Sequence, residues 1–73
     1  MFSSIRTIFI NDGKRTIVMM DAASALAMRE RDYVTIEAVS PDELVVDDIR
    51  RRYGGGGPNA VYLAEMTVKL ITL

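Results

Sequence analysis

The stretch from Ser4 to Asp48 constrains the fold of this chain more than any other feature. In 45 residues it reads as strand, Asp-Gly turn, strand, short Ala-rich helix, strand, tight turn and strand. Ile5 to Ile10 and Lys14 to Met20 are rich in β-branched and aromatic side chains, which pack well on a pleated surface. Gly13 reaches positive φ without a Cβ penalty, so Asn11-Asp12-Gly13 predicts a tight hairpin between them. Asp21 then opens a run of helix formers, and its carboxylate suits the exposed amides of a first helical turn. The predicted helix is about two turns long, with Ala22, Ala25 and Leu26 on one face, and ends in Arg29-Glu30-Arg31-Asp32.

Tyr33 to Val39 alternates, with Val34, Ile36 and Ala38 opposite Tyr33, Thr35 and Glu37, and predicts a half-buried strand. Ser40-Pro41-Asp42-Glu43 fits both a capping box with proline at the first helical position and a turn between strands. Leu44-Val45-Val46 favours a strand, while the spacing of Val45, Ile49 and Tyr53 leaves a helix open from Asp47 up to Gly54. The glycine run and Pro58-Asn59, residues 54–59, read as a flexible loop, since four consecutive glycines hold neither helix nor strand cheaply. They lack the Lys-Ser/Thr that a phosphate-binding Walker loop requires. Ala60 to Leu73 reads as a long amphipathic strand, with Tyr62, Ala64, Met66, Val68 and Leu70 on the apolar face and Glu65, Thr67 and Lys69 on the other.

The expected organisation is one small β domain over 1–53, the loop over 54–59, and a strand over 60–73 that belongs to the same domain or is exchanged between chains. At 73 residues a lone domain buries only about 60% of its unfolded surface, yet 49% of the residues are hydrophobic. That excess predicts a homodimer. Apolar runs fall far short of the roughly 20 residues that span a bilayer, and the first residues lack the basic and apolar regions of a signal peptide, so a cytoplasmic, non-membrane protein is expected.

The absence of cysteine and histidine removes disulfides, thiolate metal sites and the usual bases of hydroxyl nucleophiles. Asp47 and Asp48 are adjacent, so on a strand they point apart and form no acid–base pair. No catalytic residue, metal ligand or cofactor is therefore assigned. With 9 basic and 10 acidic residues, the chain has no global attraction to phosphate, and any polyanion surface must be local. Arg6, Lys14 and Arg15 on the first hairpin, and the cluster Arg50, Arg51, Arg52 and Tyr53, are the candidate binding residues. Arginine offers bidentate contacts to phosphate or carboxylate. The plainer alternatives are a solubilised hairpin that discourages edge pairing, and a solvated segment balanced by Asp47 and Asp48.

Lys14-Arg15-Thr16-Ile17-Val18-Met19-Met20, the helix through Leu26, and Met28 to Ile36 resemble the swapped-hairpin domain of AbrB-type transition-state regulators and MazE-type antitoxins. The same half-motif is similar to halves of double-psi barrels. Met19 stands where the family has proline, Ala27 where it has glycine, and Arg31 where barrels often place glycine. The resemblance covers Ser4 to Asp48. It implies a mainly β fold with a short helix (α+β), a small barrel or swapped-hairpin sheet completed by dimerisation. A β-grasp arrangement is the rival, since it too opens with a hairpin and helix and closes with a long apolar strand.

By resemblance, the function expected is a small dimeric, non-enzymatic binding protein, a DNA-associated transcriptional regulator or antitoxin-like factor. Arg15 falls on a family arginine position, with Arg6 and Lys14 beside it, whereas Ala23 and Ser24 stand where the family helix is basic. The alternative is a protein–protein interaction module, for instance a phage-encoded or host inhibitor that docks on a larger partner through Arg50 to Tyr53 or the last strand.

Overall fold

In a computed structural model that describes residues 4–58 and 60–73, the chain is mainly β with one short helix among those residues. The elements are β1 (Ser4–Asn11), β2 (Lys14–Asp21), α1 (Ala22–Ala27), β3 (Tyr33–Val34), β4 (Leu44–Gly57) and β5 (Ala60–Thr72). They form one curled sheet in the order β2-β1-β5-β4-β3. β5 lies between β1, to which it is parallel, and β4, to which it is antiparallel. The last strand thus pairs with strands of its own chain on both sides. Hairpin, helix and closing apolar strand follow the order named for the β-grasp rival, but the helix has only six residues.

The first hairpin forms where its turn chemistry requires it. Asp12 and Gly13 both take positive φ, 52° and 78°, and Asn11 pairs with Lys14. Two left-handed residues make the turn whose twist matches the flanking strands. At the end of β2, Asp21 caps α1: its carboxylate accepts from the Ser24 amide at 3.0 Å and from the Ser24 hydroxyl at 2.7 Å. These bonds, the hydroxyl's first, hold the carboxyl below its ordinary value of 3.8. A folded pKa below the unfolded one contributes stability that is present above the unfolded value and is lost as pH falls through the folded one. Asp21→Asn keeps a capping oxygen but no titrating group. The variant is expected to lose less melting temperature than the native chain on acidification through and below pH 3.8. Parallel thermal melts check this, and identical acid profiles would refute it.

Side chains from one sheet face and α1 make the core. Phe9, Val46, Met66 and Val68 are fully buried, and Ala25, Met28, Leu44 and Leu70 join them. Leu26, expected on that face, is instead 52% exposed, because a two-turn helix seats only Ala25 fully.

Three further expectations need correction. Of the strand expected over Tyr33–Val39, only Tyr33 and Val34 enter a ladder. Beyond them the Val39 and Ser40 amides donate to the Ile36 carbonyl, which turns the chain away, although the alternating burial continues through Glu37. The helix left open from Asp47 does not form, and neither does a capping-box helix at Ser40. β4 runs on to Gly57 because β5 satisfies its backbone along that length. The glycine run is therefore strand through Gly57 rather than loop, with Pro58 in the turn; Asn59 lies outside the described residues. Arg31, where barrels often have glycine, takes φ 73° and is held by its amide donating to the Val46 carbonyl at 2.7 Å.

Of three register shifts in the long hairpin, at Val46/Asp48, Arg52/Tyr53 and Gly54/Gly57, the first two set the facing of the site. Val46 pairs with Leu70 and Asp48 with Lys69, leaving Asp47 extra on β4. Arg52 pairs with Glu65 and Tyr53 with Leu63, leaving Ala64 extra on β5. The second bulge resets the alternation. Leu63 is buried, while Tyr62, expected on the apolar face with Met66, is 60% exposed.

Candidate functional site

The sheet face away from α1 carries most of the basic side chains. Strand residues alternate between faces, so on β1 the partners of the core residues Ile5, Thr7 and Phe9 are Arg6, Ile8 and Ile10 on the outer face. Cross-strand register extends that face into three rows. Met19, Arg6, Glu65 and Arg52 form the first, from β2 to β4. Ile17, Ile8, Thr67 and Arg50 form the second, and Arg15, Ile10, Lys69 and Asp48 the third. Adjacent rows are about 7 Å apart along the strands, and neighbours within a row about 5 Å.

In the first row two guanidiniums share one carboxylate: Arg6 lies 3.6 Å and Arg52 3.7 Å from Glu65. Exposed ion pairs contribute about 0–1 kcal/mol, so their effect here is mainly positional. A guanidinium carries five N–H donors, more than one carboxylate contact uses, and both side chains are more than half exposed. Arg50 pairs with Asp48 at 3.4 Å, and Lys69 with the bulged Asp47 at 3.8 Å. With Asp47 included, the face holds five basic and three acidic groups, against four and seven in the rest of the chain. A protein of net charge −1 thus presents one positive surface.

Of the seven residues singled out in the sequence, this face gathers four: Arg6, Arg15, Arg50 and Arg52. Lys14 sits at the hairpin end, exposed and in phase with the opposite face. Arg51 is not on this face. It lies in phase with the core, where its Nη2 donates to the carbonyls of Ala25 at 2.9 Å, Leu26 at 3.4 Å and Met28 at 2.6 Å. A cation thereby caps the orphan carbonyls of the α1 C-terminus. Its Nε is buried without a hydrogen-bond partner among the described residues. Tyr53 also leaves the basic face, being next to Leu63 on the core side.

Lys69, Glu65 and Tyr62 complete the outer face and were not among the candidates. The polar alternation of Glu65, Thr67 and Lys69 carried the signal for the first two. Tyr62 lay behind the Ala64 bulge. It pairs with Gly54, and its Cζ and Oη stand 3.1 Å from where a Gly54 Cβ would be.

Beyond the β1 ladder the β4–β5 hairpin projects past the sheet, and a groove of about 590 Å³ opens at its root. Leu26, Tyr53, Val61, Tyr62 and Leu63 line it, with no charged side chain among the lining residues. Among the described residues no cluster of three or more acidic side chains is placed to hold a metal ion, and no helix is long and apolar enough to cross a membrane. Comparison with protein-family models, curated proteins and solved structures finds no match to this chain.

Proposed function

We propose that this chain is a non-enzymatic nucleic-acid-binding module, DNA-associated, that lays its helix-free sheet face on the phosphate backbone. The observation that carries this reading is the gathering of Arg6, Arg15, Arg50, Arg52 and Lys69 on one face by cross-strand register. Contacts of this kind are electrostatic and largely independent of sequence, and binding by counterion release falls steeply with salt. The resemblance to AbrB-type regulators supports a DNA-associated role in transcription or as an antitoxin-like factor. A homodimer, expected from the hydrophobic excess of so short a chain, belongs to the same reading. The double variant Arg6→Ala/Arg52→Ala is expected to bind duplex DNA more weakly and to lower the slope of log affinity against log salt by about 2. Fluorescence anisotropy across a salt series measures both quantities. No salt-dependent binding of the native chain at low ionic strength would sink the proposal.

The second reading, a protein-docking module, is favoured by one observation. The uncharged groove at the root of the projecting hairpin suits an apolar partner side chain better than phosphate.

A further inference from the structure

Next to the first basic row stands an aromatic ring whose position calls for an explanation. Tyr62 follows Glu65 along the outer face of β5 once the Ala64 bulge is passed, and its partner across the ladder is Gly54, which follows Arg52 on β4. Any side chain at Gly54 would meet the phenol end of Tyr62, 3.1 Å from the Cβ position. Glycine therefore leaves room for the phenol end of Tyr62 against β4, as cross-strand glycine–aromatic pairs do in sheets. The phenol end of the ring lies against Gly54, while 60% of the residue stays exposed to solvent. Tyr62, which also borders the groove at the hairpin root, is thus an exposed ring that the register places next to the row of Arg6 and Arg52, which Glu65 tethers at 3.6 and 3.7 Å.

From this juxtaposition we infer that the ligand of the basic face is an unpaired nucleic-acid strand, with a base stacked on Tyr62 while Arg6 and Arg52 hold the adjacent phosphates. The inference rests on the nucleic-acid reading above and narrows its ligand class. In a duplex the π-faces of the bases are already covered by their neighbours, so an exposed ring gains nothing there. In a single strand each base offers a face to an aromatic platform, and backbone charge is read by the same cationic rows. Arg50, Lys69 and Arg15, in the rows beyond the first, continue the phosphate track away from the ring. DNA and RNA single strands share this chemistry.

The test compares labelled oligo-dT, oligo-rU and a DNA duplex by anisotropy in a salt series, for the native chain and for Tyr62→Phe, Tyr62→Leu and Arg6→Ala/Arg52→Ala. The native chain is expected to bind a single strand at least tenfold more tightly than duplex. Tyr62→Leu is expected to lose roughly tenfold on the single strand with its salt slope unchanged, and Tyr62→Phe to keep native affinity. The arginine double variant lowers the slope on every probe. The oligo-dT and oligo-rU arms tell DNA from RNA as the preferred source, and a preference for either over duplex supports the inference. Equal single-strand and duplex affinity, or a Tyr62→Leu variant that melts normally and binds like the native chain, overturns the stacking inference and leaves the basic-face reading standing. Absence of salt-dependent binding to all three probes overturns both.

Discussion

Phe9→Ala is expected to lower the melting temperature by roughly 15–30 °C, the largest effect of any single substitution argued for this chain. Phe9 is fully buried, between Thr16 on β2 and Val68 on β5, and packs in the cluster that joins β1 to α1 and the long hairpin. Truncating a core phenylalanine costs about 3–5 kcal/mol, from lost transfer energy and from the cavity left behind. A domain of 73 residues has only about 4–11 kcal/mol to lose. Thermal and urea melts followed by far-UV circular dichroism would show it. A shift of less than about 5 °C would mean that Phe9 does not sit where the core is described.

Arg51→Ala comes second. It is expected to destabilise the fold by about 2–3 kcal/mol while leaving nucleic-acid affinity unchanged, whereas Arg50→Ala changes stability by less than about 0.5 kcal/mol. The two residues are adjacent in sequence and opposite in role. Arg50 is 85% exposed at the side chain and, among the described residues, pairs only with Asp48, two residues away. Arg51 reaches three main-chain carbonyls of α1 and the residues after it, tying the helix to β4. Removing a charged donor from partly buried acceptors leaves those carbonyls unsatisfied. Arg51→Lys should recover part of the loss, since a single ammonium cannot span the same acceptors. If Arg51→Ala melts like Arg50→Ala, the capping role is refuted.

Features set by local chemistry were legible before any tertiary structure. Asp12-Gly13 specifies its turn through φ, and Asp21 its cap through one carboxylate and the Ser24 amide three residues on. Features set by a partner strand were not. The glycine run reads as a loop because nothing near it in sequence supplies the Tyr62 ring that covers Gly54. The phase of Tyr62 reads wrongly because a bulge is defined against the opposite strand, and the extra residue at Ala64 has no local signature. Arg51 falls between these cases. Once Leu44-Val45-Val46 is continued as strand past the Asp47 bulge, a period of two places Arg50 and Arg52 on one face and Arg51 on the other. Leaving a helix open from Asp47 hid that separation. The basic face had a partial signature, with Arg6, Arg15, Arg50 and Arg52 visible singly, but their assembly depends on β5 lying between β1 and β4.

That placement also governs the order in which the molecule can be made. The last of the five strands in chain order is the middle of the sheet, and the pairing of Arg6 with Glu65 closes a loop that runs through β2, α1, β3 and β4. As the polypeptide emerges from a ribosome, the β1–β2 ribbon and α1 have no neighbour to cover Phe9 and Ile5 until β5 arrives. Contacts of such long range slow folding. The apolar side of the sheet therefore stays open until β5 has been made, and the structure is acquired in one cooperative step.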